Sequence, residues 1–136
     1  LMSDNDAYIQ DDPQGTCTVS EALLMTQTDL RLQELETLSG AKSLELNYDN
    51  DMHRELVFQY PKGSNMRDVA MKTTDIMSLL QVLGNTAKLI AKFHTAGWIL
   101  RSICTFDLWV AEEDKRVYPL RLSRCCAFPT CEDWII

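Results

Sequence analysis

A single long helix is the feature that most constrains the fold of this chain. Between about Asp75 and His94, apolar residues recur at steps of three and four, the spacing that puts side chains on one face of an α-helix. Gly97 follows and ends the helix. The apolar face consists of Ile76, Leu79, Leu80, Leu83, Ala87 and Ile90. Any fold for this sequence must therefore accommodate this helix and the segment that follows it from Gly97 onward.

The segments around this helix predict further helices and short strands, and hence an α+β fold. Thr18 followed by Glu21 fits a capping box, which predicts a helix through Leu38 that Ser39-Gly40 stop. Strands are expected around residues 44–46 and 55–60, a turn at Asn47–Asp51, a short helix at 65–71, and a hairpin of 108–111 and 117–122 around the turn Glu112–Lys115.

Charge and cysteine content exclude several classes of function. Thirteen basic and twenty acidic residues give a net charge of −7, which disfavours nucleic acid and anionic membranes as partners. No apolar run approaches the roughly 20 residues of a membrane helix, and no signal-peptide pattern is present. The five cysteines are odd in number and lack zinc-site spacing, which predicts reduced thiols in a cytoplasmic protein.

Residues 97–110 read Gly-Trp-Ile-Leu-Arg-Ser-Ile-Cys-Thr-Phe-Asp-Leu-Trp-Val. The catalytic loop of protein kinases has His-Arg-Asp-Leu, three free positions and then Asn. At those positions this chain carries Leu100, Arg101, Ser102 and Ile103, followed after the gap by Asp107. The segment thus resembles a protein kinase catalytic loop that has lost its catalytic residues.

The order of the predicted elements extends this resemblance over about 110 residues. Residues 18–38 look like helix C of a protein kinase, residues 41–60 like its strands four and five, and Gln59–Gly63 like the hinge between its lobes. The helices that follow resemble helices D and E, and the hairpin resembles the one that carries Asp-Phe-Gly, here aligned with Arg124-Cys125-Cys126. The resemblance implies a partial protein-kinase-like α+β fold.

This comparison predicts an incomplete domain in three parts: an acidic tail or loop at 1–17, an N-lobe-like segment at 18–60 and a C-lobe-like segment at 61–136. The short polar segment before Thr18 does not have room for three strands, so no Gly-rich loop or Val-Ala-Ile-Lys strand is expected. Few residues follow Arg124, so the later C-lobe helices are not expected in this sequence either. We therefore expect a protein partner, or the remainder of the same chain, to complete a truncated domain.

The residues at the degenerate positions do not suit phosphoryl transfer, which needs a positioned base and magnesium ligands. Ser102 stands where the resemblance places the base, and a serine needs a base of its own at neutral pH. Arg124 stands at a magnesium position, where a permanent cation would repel the metal. Cys104 replaces the lysine that contacts the transferred phosphate. The sequence therefore predicts no catalytic residues, no metal site and no cofactor.

Three more residues allow two interpretations each. Trp109 either fills the space of the adenine ring or packs in an ordinary core, and Phe58, at the back of the same pocket, discriminates little. Asp107 either is a solvated or salt-bridged carboxylate or binds a cation, which is a metal ion or, in place of the lost metal, the guanidinium of Arg124. Together these residues favour a blocked nucleotide site.

The leading hypothesis for function is a catalytically inactive, pseudokinase-like interaction or scaffolding module. Two alternatives stay open: a divergent ATP-dependent phosphotransferase that uses other residues, and an unrelated α+β adaptor domain. Magnesium-dependent ATP binding distinguishes the phosphotransferase from the other two.

Overall fold

The computed structural model describes residues 7–24, 29–40, 42–50, 53–101, 103–122 and 125–127. Backbone contacts divide the chain into two compact units, Leu1–Gly63 and Ser64–Ile136, each of which is described by itself. Both units combine helices with small antiparallel sheets, so the α+β prediction is confirmed.

The first unit is a four-stranded antiparallel sheet with one helix. The strands pair in the order β1-β2-β4-β3, so that β2 and β4 are central. In chain order the elements are β1 (Ala7–Asp11), β2 (Cys17–Leu24), α1 (Asp29–Ser39), β3 (Lys42–Asn50) and β4 (His53–Tyr60).

The prediction of a tail or loop over residues 1–17 is wrong for residues 7–11, which form β1. A tight turn joins β1 to β2: the Gly15 amide donates to the Asp12 carbonyl, and the Asp12 amide donates to the Thr16 carbonyl. Gly15 has a φ of +89°, which suits glycine. Asp, Pro and Gly at the first, second and fourth positions are typical of a type I turn. The acidic composition concealed this hairpin.

The predicted helix over 18–38 is wrong in its first half, because residues 17–24 form β2. Val19 lies opposite Phe58 and Cys17 opposite Tyr60, and all four side chains are buried. The Thr18 hydroxyl does not cap a helix but donates to the Asp12 carboxylate, 3.1 Å away. From residue 17 to residue 19, buried and half-exposed side chains alternate with the two-residue period of a strand. The segment therefore forms a strand although its sequence also fits a capping box.

The helix that does form in this unit, α1, ends where the sequence predicts. The Gly40 amide donates to the Glu36 carbonyl, and Gly40 takes a φ of +74°. Leu35 of α1 is buried. The turn predicted at 47–51 is wrong through Asn50, because β3 continues to that residue across two register irregularities.

The second unit is built on two helices and two small sheets. The sheet orders are β5-β7-β8 and β6-β9. The elements are β5 (Gly63–Asn65), α2 (Met66–Lys72), α3 (Ile76–Thr95), β6 (Trp98–Ile99), a 3₁₀ turn (Thr105–Asp107), β7 (Leu108–Ala111), β8 (Val117–Pro119) and β9 (Cys126–Ala127). Both predicted helices are confirmed, and Asn65 and Asp75 are their N-caps.

The long helix α3 packs through a face other than the apolar face that its sequence pattern defines. Its buried residues are Val82, Leu89 and Phe93, and the helix contacts β6 and β8. By contrast, Ile76 and Leu83 of the predicted face are 68% and 62% exposed. The helix therefore has two apolar lines, of which only one is covered within the described chain.

The predicted hairpin is confirmed, although its second strand ends at Pro119 and not at Leu122. All four residues of β7 and all three of β8 are buried, which explains why these strands show no polar alternation. The hairpin is thereby held in the core of the second unit and fixes the loop that precedes it.

Candidate functional site

The candidate site is the connection between β6 and β7, residues 100–107, together with the end of the hairpin. Leu100 is buried, whereas Arg101 is exposed and takes a φ of +65°. A left-handed conformation is uncommon for a residue with a side chain and turns the backbone sharply. Ser102, the residue at the predicted base position, lies outside the described residues, so its role stays a prediction.

Cys104 and Asp107 close a short turn at the end of this connection. The Asp107 amide donates to the Cys104 carbonyl at 2.9 Å, and the Cys104 thiol donates to Oδ2 of Asp107 at 2.8 Å. Cys104 is an exposed free cysteine. A thiol must keep its proton to make this bond, because a thiolate would repel the carboxylate. The contact therefore occupies one oxygen of the carboxylate that the sequence analysis considered as a cation ligand.

The register of the hairpin decides which residue lies opposite Asp107. Leu108 pairs with Pro119, and the Leu120 amide donates to the Asp107 carbonyl at 2.9 Å. Leu120 is fully buried. Arg124, which the sequence analysis places opposite Asp107, is four residues further along and lies outside the described residues. The Asp107–Arg124 pair thus stays a prediction, and the direct neighbour across the hairpin is apolar.

Arg121, which follows Leu120 in the sequence, is a buried cation that the sequence analysis did not single out. The residue is only 6% exposed, and its Nε and Nη2 atoms are inaccessible to water. Burial of a charge is costly unless other groups compensate it, so arginine is rare in such a place. The alternation of Leu120, Arg121 and Leu122 resembled a strand with an outward arginine, and this pattern hid the buried guanidinium.

Trp109 and Phe58, the proposed blockers of an adenine site, are both buried. Trp109 lies in β7 opposite Tyr118, over whose ring the Arg116 guanidinium sits at 5.0 Å. Phe58 lies in β4 opposite Val19. Burial suits both interpretations of Trp109, so a blocked adenine site stays a prediction.

Asn65 joins the catalytic-loop region to α2, a role that the sequence analysis missed. Its Oδ1 atom accepts from the Arg67 amide and caps α2, while its Nδ2 donates to the Phe106 carbonyl, both at 2.9 Å. The Arg67 guanidinium lies 4.7 Å from the centre of the Phe106 ring, a cation–π distance. The sequence shows that an asparagine precedes α2 and suits its N-cap. It does not show that the same asparagine contacts Phe106, 41 residues further along the chain.

No group of three or more His, Cys, Asp or Glu side chains suitable for a metal ion occurs in the part of the chain that the structure describes. In the same residues, no helix is both long and apolar enough to cross a membrane.

Comparison with solved structures identifies the fold. The chain is similar to PK-1, the kinase of Cydia pomonella granulovirus, with a TM-score of 0.58 and 10% identity over 90% of this chain and 53% of that chain. It is also similar to monomeric WbdD, with a TM-score of 0.55 and 13% identity over 84% of this chain and 31% of that chain. Neither a family model nor a curated protein matches the sequence.

The predicted partial protein-kinase-like fold is thus confirmed. At identities of 10% and 13%, these similarities concern the fold and not the activity. The chain spans about half the length of PK-1 and about a third of that of WbdD.

Proposed function

We propose that this chain is a kinase-like module that does not transfer phosphate and that acts by binding protein. The observation that carries the proposal is the connection from β8 to β9, residues 120–125, which reads Leu-Arg-Leu-Ser-Arg-Cys. Protein kinases place the magnesium-binding Asp of Asp-Phe-Gly after this hairpin. No acidic residue occurs between Asp114 and Glu132. Shifting the alignment within the connection therefore cannot place a carboxylate at the position of this magnesium-binding Asp.

The loop before the hairpin supports the same conclusion. Asp107 is the only acidic residue in the connection from β6 to β7. It comes immediately before β7, where the kinase pattern has the Asn, and not at the position of the catalytic base, which is Ser102. The one carboxylate of the loop therefore stands in the place of a metal ligand and accepts a bond from Cys104.

The strand before α1 adds a third argument, which depends on the structure. Protein kinases carry a lysine on the strand before helix C, where it pairs with a helix C glutamate and holds the nucleotide phosphates. Here β2 is the strand before α1 and reads Cys-Thr-Val-Ser-Glu-Ala-Leu-Leu, without a lysine. In fact no Lys or Arg occurs before Arg31. The N-lobe-like unit therefore lacks the cation for phosphate binding on that strand.

A role in protein binding rests on the apolar surface of the second unit. Ile76, Leu80 and Leu83 of α3 are at least half exposed, as are Ile103 and Phe106 near the candidate site. Exposed apolar side chains at this density are typical of surfaces that another protein, or more of the same chain, covers. Cys17, Cys104 and Cys125 are not joined in disulfides, which suits a reducing, cytoplasmic compartment.

Thermal denaturation with nucleotide tests the proposal. We expect the melting temperature to stay unchanged in millimolar ATP with Mg²⁺, relative to ATP alone and Mg²⁺ alone. A ligand at a hundredfold excess over its Kd would stabilise the folded state by about 2.7 kcal/mol, or roughly 8 °C for a chain of this size. A magnesium-dependent rise of that order would contradict the proposal and favour the divergent phosphotransferase.

A reversion variant isolates the carrying observation. Ser102→Asp together with Asp107→Asn restores the two kinase residues of the loop and leaves the β8–β9 connection without a carboxylate. We expect this double variant to remain inactive in phosphate-release and autophosphorylation assays. Magnesium-dependent activity in the double variant but not in the parent would show that the missing carboxylate is dispensable.

A further inference from the structure

The chain leaves the first unit through a short linker that another part of the same unit contacts. The linker consists of Pro61, Lys62 and Gly63, between the end of β4 and Ser64, where the second unit begins. The Gly63 amide donates to the Gly15 carbonyl at 3.0 Å. Because Gly15 lies in the turn between β1 and β2, this backbone bond attaches the turn to the linker.

The side chain of Lys62 makes a second contact with the same glycine. Its Cγ, Cε and Cδ atoms lie 2.9, 3.3 and 3.6 Å from the position that a Cβ of residue 15 would take. The methylene carbons of Lys62 thus cover Gly15, as the apolar part of a lysine often covers neighbouring surface. We refer to Gly15, Lys62 and Gly63 as the clasp.

Two separate requirements select glycine at position 15. The first is the φ of +89°, a left-handed conformation that favours glycine. The second is space, because a Cβ at this position would meet Cγ of Lys62 at 2.9 Å. Asparagine often satisfies the first requirement, but its Cβ does not satisfy the second. The second requirement comes from the linker and not from the turn, so the fit between them is a feature of its own.

The strands next to the clasp are held by their own pairing and burial. Cys17 of β2 lies opposite Tyr60 of β4, and the two residues are 0% and 1% exposed. By contrast, Pro61 and Lys62 are exposed and Gly15 is half-buried. Exposed segments with few buried contacts open locally, at a lower free energy than the buried strands beside them. The clasp can therefore open while β2 and β4 stay paired.

We propose that the clasp is a conformational device with two states, one that holds the linker against the β1–β2 turn and one that releases it while the sheet stays folded. In the released state, the Gly63 amide bonds to water and the methylene carbons of Lys62 leave Gly15. Any event that moves the β1–β2 turn thereby acts on the connection to the second unit. The inference goes beyond the proposed function, because it holds whether or not the chain binds nucleotide.

Hydrogen exchange of the Gly63 amide, followed by NMR on the whole chain, tests the proposal. We expect this amide to be protected, but to exchange faster than the amides of β4. Gly15→Ala strains the held state through both φ and the Cβ contact, and the strain is relieved only by opening. Exchange at Gly63 should therefore accelerate on the order of tenfold or more relative to the β4 amides.

Gly97→Ala is the matched control for backbone strain. Gly97 has a φ of +87°, nearly that of Gly15, but a Cβ there would meet no atom within 4 Å. This variant carries the same backbone cost in the second unit and leaves the clasp intact. We expect exchange at Gly63 to stay as in the parent chain. Acceleration equal to that of Gly15→Ala would show that general destabilisation, and not the clasp, controls this amide.

A pair of variants separates the Cβ contact from the backbone conformation. Gly15→Asn keeps a residue that tolerates the left-handed turn and adds the Cβ, so it should also accelerate exchange at Gly63. Adding Lys62→Ala removes the three carbons that the new Cβ meets, and protection should recover in the double variant. Absence of recovery would show that Lys62 is not part of the clasp.

Two results in the exchange experiment would overturn the proposal altogether. If the Gly63 amide of the parent chain exchanges as slowly as the amides of β4, the linker does not open separately from the sheet. If Gly15→Ala accelerates the β4 amides as much as it accelerates Gly63, the turn and the sheet unfold together and the clasp has no released state of its own.

Discussion

Two leucines of α3 provide a matched test of how this helix is oriented. Leu89 is 7% exposed and Leu83 is 62% exposed, although both lie in the same uninterrupted helix. Replacing each by alanine removes the same atoms and brings the same small gain in helix propensity. The difference between the two free energies of unfolding therefore reports burial alone.

The structure predicts a large difference between them. Leu-to-Ala substitutions at buried sites cost about 2–5 kcal/mol, because transfer energy is lost and a cavity remains. Leu89 is close to full burial, so we expect a loss of about 3 kcal/mol. Leu83 keeps little of its contact area in the monomer and leaves no cavity, so its substitution should cost at most about 1 kcal/mol. A gap of roughly 2 kcal/mol is a large part of a domain's stability of about 5–15 kcal/mol.

Urea denaturation followed by circular dichroism measures both values, at a protein concentration where sedimentation shows monomers. Equal m-values for the two variants would confirm that the comparison concerns the folded state. If Leu83→Ala proves as costly as Leu89→Ala in the monomer, α3 is rotated relative to its unit. The apolar face that the sequence pattern defines would then be the buried one.

Three smaller predictions concern single contacts. Lys115 takes a φ of +60°, and its own backbone makes the bonds at this position: its amide donates to the Ala111 carbonyl and its carbonyl accepts from Nδ2 of Asn85. Lys115→Gly should therefore stabilise by about 0.5–1 kcal/mol in denaturation, and Lys115→Ala should not. Asn65→Asp keeps the α2 cap but loses the bond to Phe106, so it should destabilise by about 1 kcal/mol and less than Asn65→Ala does. The hydrogen bond from the Ser78 hydroxyl is the main cause that lowers the pKa of Asp75, and the bond from the Met77 amide is the next. The contribution of these bonds to the stability of the fold is therefore complete above the ordinary carboxyl pKa and is lost as the pH falls through the lowered pKa. Ser78→Ala should raise the pKa of Asp75 in an NMR titration, and an unchanged pKa would contradict this assignment.

The bounds of α3 were predictable from the sequence, but the face that it buries was not. Capping and termination are local: the Asp75 carboxylate accepts from the Met77 amide, and the chain turns at Gly97. The buried face depends on which neighbours the rest of the fold supplies, here β6 and β8. Because α3 carries two apolar lines, periodicity detected the longer one, and tertiary packing uses the other.

The N-terminal unit shows the opposite error, in which a local signal suggested the wrong element. Thr18 and Glu21 have the spacing of a capping box, yet Val19 is fully buried opposite Phe58 in the centre of a sheet. A strand that lies between two others is stabilised by partners distant in sequence. No local pattern in residues 17–24 reports the pairing with β4. The β-branched residues Thr18 and Val19 favour a strand while the capping spacing favours a helix, and the distant partner strand decides between them.

The position of the candidate site in the chain could be predicted from the sequence, but the contacts of its residues could not. The turn Glu112–Lys115 sets the register of the hairpin, and counting back from it places Leu120 opposite Asp107, as the structure shows. Alignment with the Asp-Phe-Gly motif instead predicts a second strand that continues to Leu122 and places Arg124 opposite Asp107. Pro119 is the last residue of β8, and beyond it the Leu120 amide makes one further bond to the Asp107 carbonyl. The chain then leaves the sheet with Arg121 buried, and this buried cation comes three residues before the Arg124 that the motif suggested.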